Sequence, residues 1–197
     1  MKRVKFKGAR KVFKKIRRDL IDDKYLENIR EFQTALQKLV SEYDTTNWEN
    51  RFVVGGALEI LFCALLNSIG YKCRWIKEAR YDIEINGIKF SMKSNFTGTG
   101  DIIVDWEEPT LFFISDVGIC YADPEMGLET RHTHDALVIN TRQIKELIKR
   151  NDIWLIPIEI PKKPKSSVKI KTASYDVAKA ILEEINSKHL RQNLPEV

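Results

Sequence analysis

Residues 81–94, YDIEINGIKFSMKS, form the most informative stretch of this chain. Asn86-Gly87 stands between two runs in which apolar and polar residues alternate. This dipeptide favours a type I′ turn, because that turn requires a positive φ at both of its central residues. We therefore predict a two-residue β-hairpin whose register places Asp82 directly opposite Ser91.

The two faces of this hairpin differ in chemistry, because side chains alternate in direction along a strand. One face is apolar, and it carries Ile83, Ile85, Ile88, Phe90 and Met92. The other face is polar, and it carries Asp82, Glu84, Lys89, Ser91 and Lys93. Antiparallel sheets commonly bury one face and solvate the other, which alone would explain the pattern. Lys93 lies diagonally from Asp82, at about 7–8 Å, within reach of a long side chain.

Helical and strand-like segments alternate along the rest of the chain. The spacing of apolar residues predicts an amphipathic helix at 24–43 and a nearly all-apolar helix at 48–68, capped by Thr45, Thr46 or Asn47. The first eighteen residues suggest a short strand and then a helix. Further strands are predicted at 71–79, 101–106, 111–122, 134–140, 152–160 and 168–171, with helices at 141–150 and 174–190. The 197 residues therefore predict an α/β fold with a central mixed β-sheet flanked by helices.

The charge of the chain is distributed unevenly. Residues 1–18 hold ten Lys or Arg and no acid, whereas the whole chain has a net charge of +5. A basic segment of this kind is often a solvated arm, and it is also typical of proteins whose partner is nucleic acid. Three scattered cysteines without a CxxC pair suit a reducing cytoplasm. No apolar run approaches the roughly 20 residues of a membrane span, so we expect no membrane partner.

Glu59 lies in the middle of the apolar helix at 48–68. Burying a carboxylate without a partner is costly, so Glu59 either faces solvent on a polar stripe or lies beside a cation. Together with Asp82 and Lys93 it would complete a minimal set for metal-assisted phosphodiester hydrolysis. Carboxylates suit Mg²⁺, which activates water, and a lysine can stabilise developing negative charge.

The order of these residues resembles the PD-(D/E)XK nuclease superfamily, and within it the type II restriction endonucleases. The residues that match are Asp82, then Ser91 and Lys93 with one residue between them, and Glu59 on the preceding helix. The resemblance covers about residues 48–94. Tyr81 stands where the motif has proline, and Ser91 stands where it has a second carboxylate.

The resemblance implies a restriction-endonuclease-like core and a function. Asp82 and Glu59 would bind Mg²⁺, with Mn²⁺ as a substitute, and no small-molecule cofactor would be needed. Lys93 would position or activate the attacking water, and Ser91 would bond to water or phosphate. The product of cleaving double-stranded DNA would carry a 5′-phosphate, and a palindromic site would favour a homodimer.

The resemblance also suggests a division of the chain. Residues 1–47 would form a basic arm and helix for DNA backbone contacts or dimerisation, and residues 48–197 the catalytic domain. Base-reading residues would lie between 95 and 135. The residues expected to contact nucleic acid are Arg10, Lys11, Lys14, Lys15 and Asn95.

Several alternatives stay open. A repair or structure-specific nuclease could use the same core, and a non-catalytic DNA-binding protein would bind duplexes without cutting them. His132 and His134 would share one face of a strand, on the surface or against DNA, and they lack a third zinc-type ligand. The recognition sequence, the position of the cut and the number of metal ions are not defined by the sequence.

Overall fold

The computed structural model describes residues 2–43, 48–133, 136–150, 153–156 and 158. Three helices come first, α1 (Lys2–Leu20), α2 (Leu26–Glu42) and α3 (Trp48–Ser68). Six strands follow, β1 (Cys73–Glu78), β2 (Tyr81–Ile85), β3 (Ile88–Asn95), β4 (Asp101–Ile103), β5 (Thr110–Ile114) and β6 (Gly118–Ala122). The remaining elements are β7 (Arg131–Thr133), β8 (Ala136–Asn140), α4 (Thr141–Lys149) and β9 (Trp154–Ile156). The predicted cap at 45–47, His134, the strand at 168–171 and the helix at 174–190 lie outside the described residues.

The hairpin of β2 and β3 has the predicted turn and register. Asn86 has a φ of 50° and Gly87 a φ of 82°, as a type I′ turn requires. Beyond the turn, Glu84 pairs with Lys89 and Ile83 with Phe90. The alternation of faces that follows from this register is therefore confirmed.

Six strands form the central sheet in the order β1-β2-β3-β5-β6-β9. β3 and β5 run parallel, and the other neighbouring strands run antiparallel, so the sheet is mixed. A second sheet of three strands has the order β4-β8-β7. The predicted α/β fold class, a mixed central sheet flanked by helices, is confirmed.

Helices cover one face of the central sheet, and the opposite face is covered at β5 and β6. Helices α1, α2 and α3 pack on the face that carries Ile83 and Phe90, and their apolar side chains form one continuous core with it. The second sheet and α4 cover the opposite face of β5 and β6, where Phe112 and Cys120 lie. Ser91 belongs to the predicted polar face of the hairpin, yet only 2% of its surface is exposed. The expectation of one solvated face is therefore wrong at this position.

The basic N-terminal segment is a single helix, so the predicted short strand before it is wrong. Five of its apolar residues recur every three or four positions and are buried: Phe6, Ala9, Phe13, Ile16 and Leu20. This spacing continues one amphipathic pattern through the whole segment. α1 therefore contributes to the same core as α2, α3 and the sheet. Among the described helices, none combines the length and apolar character that crossing a membrane requires.

Candidate active site

The candidate site lies where β3 leaves β2. The pairing of the two strands extends from the turn to Ile83 and Phe90, and from Ser91 onward β3 pairs with β5. The Ser91 N–H donates to the Pro109 carbonyl, 3.0 Å away. Consecutive N–H groups of a strand point to opposite sides, so the Met92 N–H points toward the side of β2. It requires an acceptor there, because buried main-chain donors are almost always paired.

Asp82 supplies that acceptor. Its Oδ2 accepts from the Met92 N–H at 2.5 Å and from the Ser91 hydroxyl at 3.2 Å. Its Oδ1 makes no hydrogen bond with any described residue. One oxygen of the carboxylate is thus fixed by the protein, and the other is available to a ligand.

Ser91 has a supporting position in this arrangement. It is the predicted neighbour of Asp82, but it is buried and donates its hydroxyl to the carboxylate. A buried hydroxyl whose proton is already donated does not present a surface to water or phosphate. The burial of Ser91 and its bond to Asp82 indicate a residue that holds Asp82 in place, and they disfavour the predicted contact with water or phosphate.

Glu59 points toward this carboxylate from the middle of α3. Its Oε2 accepts from the Trp75 indole Nε1, at 2.8 Å. Burial raises the pKa of Glu59 to about 7, and the negative charge of Asp82 contributes to the increase. The Trp75 hydrogen bond and the charge of Lys93 act in the opposite direction. Glu59 therefore does not turn to solvent, and the charges of Asp82 and Lys93 both act on it. Its predicted convergence with Asp82 on one metal-sized gap stays a prediction.

Lys93 follows Ser91 by two residues and lies in register with Phe112 of β5. Its side chain is half-buried, and its positive charge acts on Glu59. It makes no hydrogen bond or ion pair with any described residue. Its ammonium group is therefore available to a negatively charged ligand.

The donor set of the site fits a Mg²⁺ ion. Glu59 Oε1 and Asp82 Oδ1 make no hydrogen bond with described residues. Among the described residues, the side-chain oxygen that is fully buried and has no hydrogen-bond partner is Glu31 Oε2. Glu59 Oε1 and Asp82 Oδ1 have no partner either, so neither is fully buried and both keep contact with solvent. Mg²⁺ is usually bound through one or two carboxylates, with water and phosphate oxygens completing its shell. No group of three or more His, Cys, Asp or Glu that could hold a metal occurs among the described residues.

Trp75 is the site residue that the sequence reasoning missed. It lies on β1 opposite Ile83, on the face that α3 covers. A buried indole N–H needs an acceptor, and a buried carboxylate needs a donor. Side chains alternate between the two faces of β1, and Cys73 and Trp75 fall on the apolar face that α3 covers. This alternation was the sequence signal that could have predicted the contact between Trp75 and Glu59.

Arg10 has a structural partner. Its guanidinium donates to both oxygens of Asp123, at 2.8 and 2.6 Å, and to Glu125 at 2.9 Å. Asp123 is fully buried and also accepts from the Tyr121 hydroxyl, at 2.6 Å. The cation therefore neutralises a buried acid. This pairing gives Arg10 a role inside the fold and disfavours its predicted contact with nucleic acid.

Asn95 also serves the fold. Its Oδ1 accepts from the Thr97 and Gly98 N–H groups at 3.1 and 2.8 Å, and its Nδ2 donates to the Thr99 carbonyl at 2.9 Å. These bonds shape the loop between β3 and β4. These bonds engage the Asn95 amide within the loop, which disfavours its predicted contact with nucleic acid.

The other basic residues expected to contact nucleic acid, Lys11, Lys14 and Lys15, are exposed on α1. They take no part in the cluster of Glu59 and Asp82. His132 is exposed on β7, and no metal-ligand group includes it among the described residues.

Comparisons with known proteins give no further support for a family. No protein-family model matches the chain, and neither the curated proteins nor the solved structures contain a detectable match. The resemblance to PD-(D/E)XK nucleases therefore depends on the residues described above.

Proposed function

We propose that this protein is a Mg²⁺-dependent endonuclease of the PD-(D/E)XK type, which cuts double-stranded DNA at specific sequences as type II restriction enzymes do. One observation carries the proposal. Two carboxylates from different elements, Glu59 and Asp82, each have one oxygen that bonds to no described residue, and the charge of Lys93, which pairs with no described residue, acts on Glu59. The free thiols of its three cysteines suit action in the cytoplasm.

Each residue of the cluster has a distinct role in this proposal. Asp82 Oδ1 and Glu59 Oε1 would hold Mg²⁺. When bound, this ion would polarise the phosphate and lower the pKa of a bound water. Lys93 would stabilise the negative charge that develops on the phosphate and orient the attacking water. Met92 and Ser91 hold the Asp82 carboxylate in one orientation, and Trp75 does the same for Glu59.

The experiment that tests the proposal is incubation of the protein with plasmid DNA and Mg²⁺, followed by sequencing of the ends. A sequence-specific enzyme gives discrete ends that carry a 5′-phosphate. Cleavage restricted to branched or damaged DNA would instead indicate a repair or structure-specific nuclease. Duplex binding without cleavage in Mg²⁺ or Mn²⁺ would indicate a non-catalytic DNA-binding protein.

Two variants and a control assign the activity to the cluster. Asp82→Asn keeps an acceptor for the Met92 N–H, and Lys93→Ala removes a side chain that has no described partner, so both should fold. Each should lose roughly 10²–10⁴-fold in rate. Lys89→Ala is the matched control, because Lys89 lies on the same strand but pairs with Glu78. Cleavage by the folded Lys93→Ala variant at the wild-type rate would show that Lys93 is not catalytic.

A further inference from the structure

The outer face of α1 borders a basic groove of about 590 Å³. Its cationic lining consists of Lys11, Lys14, Lys15, Arg17 and Arg18, and Tyr71 adds an aromatic surface. No acidic side chain lines it among the described residues. We refer to this surface below as the α1 groove.

Among the groove cations, Arg18 lies 3.4 Å from an oxygen of Asp19, whereas the lysines have no such partner. Two other cations of α1 pair with buried acids, Lys5 with Glu108 and Arg10 with Asp123. The three groove lysines, in contrast, are exposed and make no ion pair with any described residue. The helix therefore uses some of its basic residues inside the fold and presents the others to solvent. An uncompensated row of cations raises the local concentration of anionic ligands.

The spacing of the groove cations suits a row of phosphates. Residues 11, 14, 15 and 18 lie on one side of a helix, because positions three and four apart are neighbours there. From Lys11 to Arg18 the helix rises about 10 Å. Successive phosphates of one strand rise about 3.4 Å along a duplex axis as they wind around it, so a row of this length can meet neighbouring phosphates of one strand. The Lys15 Nζ lies 5.1 Å from the centre of the Tyr71 ring, which places the cation at the groove wall.

The α1 groove is separate from the candidate site. It reaches the hairpin turn, since Asn86 also lines it. Asp82 lies four residues from Asn86 along β2, and Lys93 lies six residues beyond Gly87 along β3. At about 3.3 Å per residue, these positions are about 13 and 20 Å from the turn. A ligand that occupies the groove therefore does not fill the carboxylate cluster.

We propose that the α1 groove binds the phosphate backbone of a nucleic-acid duplex, outside the bond that is cut. The binding itself does not depend on nuclease activity, whereas the position relative to the cut rests on the proposed function. A separation of 13–20 Å corresponds to about 4–6 base pairs at 3.4 Å each. Duplexes that end closer to the cut on that side would leave the groove empty.

The first test measures binding without cleavage. Lys93→Ala protein is titrated with a fluorescent 24-base-pair duplex over a range of salt concentrations, with and without Lys11→Gln, Lys14→Gln and Lys15→Gln together. The groove variant should bind on the order of 10²-fold more weakly at 0.1 M salt, and its log–log salt slope should fall by about 2.7. The matched control is Arg142→Gln, Lys149→Gln and Arg150→Gln, which removes three exposed cations from the α4 region and should change neither quantity.

An unchanged affinity and salt slope in the groove variant would overturn the proposal. Vesicles rich in phosphatidylserine serve as a second anionic probe. If the groove variant lost vesicle binding but kept duplex binding, the nucleic-acid assignment would be wrong.

The second test places the groove relative to the cut. Wild-type protein is given duplexes that carry the cleaved site and are shortened from either end. The rate should fall when fewer than about 4–6 base pairs remain on one side, and the groove variant should be insensitive to that shortening. Equal sensitivity of both proteins would overturn the placement. Salt-dependent binding through the groove without any cleavage would overturn the proposed function and support the groove.

Discussion

Replacing Glu59 by glutamine should alter the dependence of stability on pH. In the folded protein, burial and the charge of Asp82 raise the pKa of Glu59 from 4.5 to about 7. Folding therefore favours the protonated carboxyl over the carboxylate. The contribution of protonated Glu59 to the free energy of unfolding is fully present below the unfolded pKa near 4.5. This contribution is lost as the pH rises through the folded pKa of about 7. The difference between these two pKa values corresponds to a change of roughly 3 kcal/mol in the free energy of unfolding.

Glutamine removes this titration but keeps an oxygen that can accept from Trp75. The free energy of unfolding of Glu59→Gln, relative to that of the wild type, should thus increase by roughly 3 kcal/mol between pH 4.5 and pH 8. Urea denaturation at several pH values in that interval measures this difference. Glu27→Gln, at an exposed position of α2, is the control for the loss of one carboxylate charge.

Metal ions extend the same experiment. At pH 8 an ion bound between two carboxylates offsets their repulsion and stabilises the folded state by mass action. Millimolar Ca²⁺ should therefore stabilise the wild type more than Glu59→Gln.

In the metal-free experiment, a difference in unfolding free energy between the two proteins that stays constant from pH 4.5 to pH 8 would refute the placement of Glu59 in a buried, negatively charged site.

Three further outcomes are expected. Cleavage should require Mg²⁺ or Mn²⁺, and Ca²⁺ should support binding without turnover, so undiminished cleavage in excess chelator would contradict the site. Trp75→Phe keeps an aromatic ring but removes the hydrogen-bond donor to Glu59, so the pKa of Glu59 should rise further. A Mn²⁺ titration at pH 7 should then show weaker binding, and an affinity equal to that of the wild type would remove Trp75 from the site. Arg10→Met leaves Asp123 buried without its cation and should destabilise the protein by about 3 kcal/mol, measurable by urea denaturation. It should not alter the salt slope of duplex binding, and a reduced slope would mean that Arg10 does contact phosphate.

The parts of the fold that the sequence predicted correctly depend on local patterns. Asn86-Gly87 fixes the turn geometry, and the turn fixes the register of the hairpin. This register brings Asp82 beside Ser91 with no help from the rest of the chain. The burial of Glu59 was predicted from the apolar helix that carries it, whereas its convergence with Asp82 on one metal ion stays a prediction.

The parts that the sequence did not predict depend on distant partners. Trp75 and Glu59 are 16 residues apart, and Arg10 and Asp123 are 113 residues apart. No local pattern tells which of ten N-terminal cations will meet a buried acid. The burial of Ser91 likewise follows from the strand β5, which joins β3 after an intervening loop and the short strand β4.

The hydrogen bond between the Met92 N–H and Asp82 Oδ2 gives this site an internal reporter. An amide proton held by a carboxylate at 2.5 Å senses the charge of that carboxylate directly. Its NMR resonance should shift when a proton or a cation binds at the other oxygen of Asp82. Selective ¹⁵N labelling of the three methionines would leave few peaks to assign. Ligand binding at Asp82 could then be followed in the intact protein, with no DNA present and no activity required.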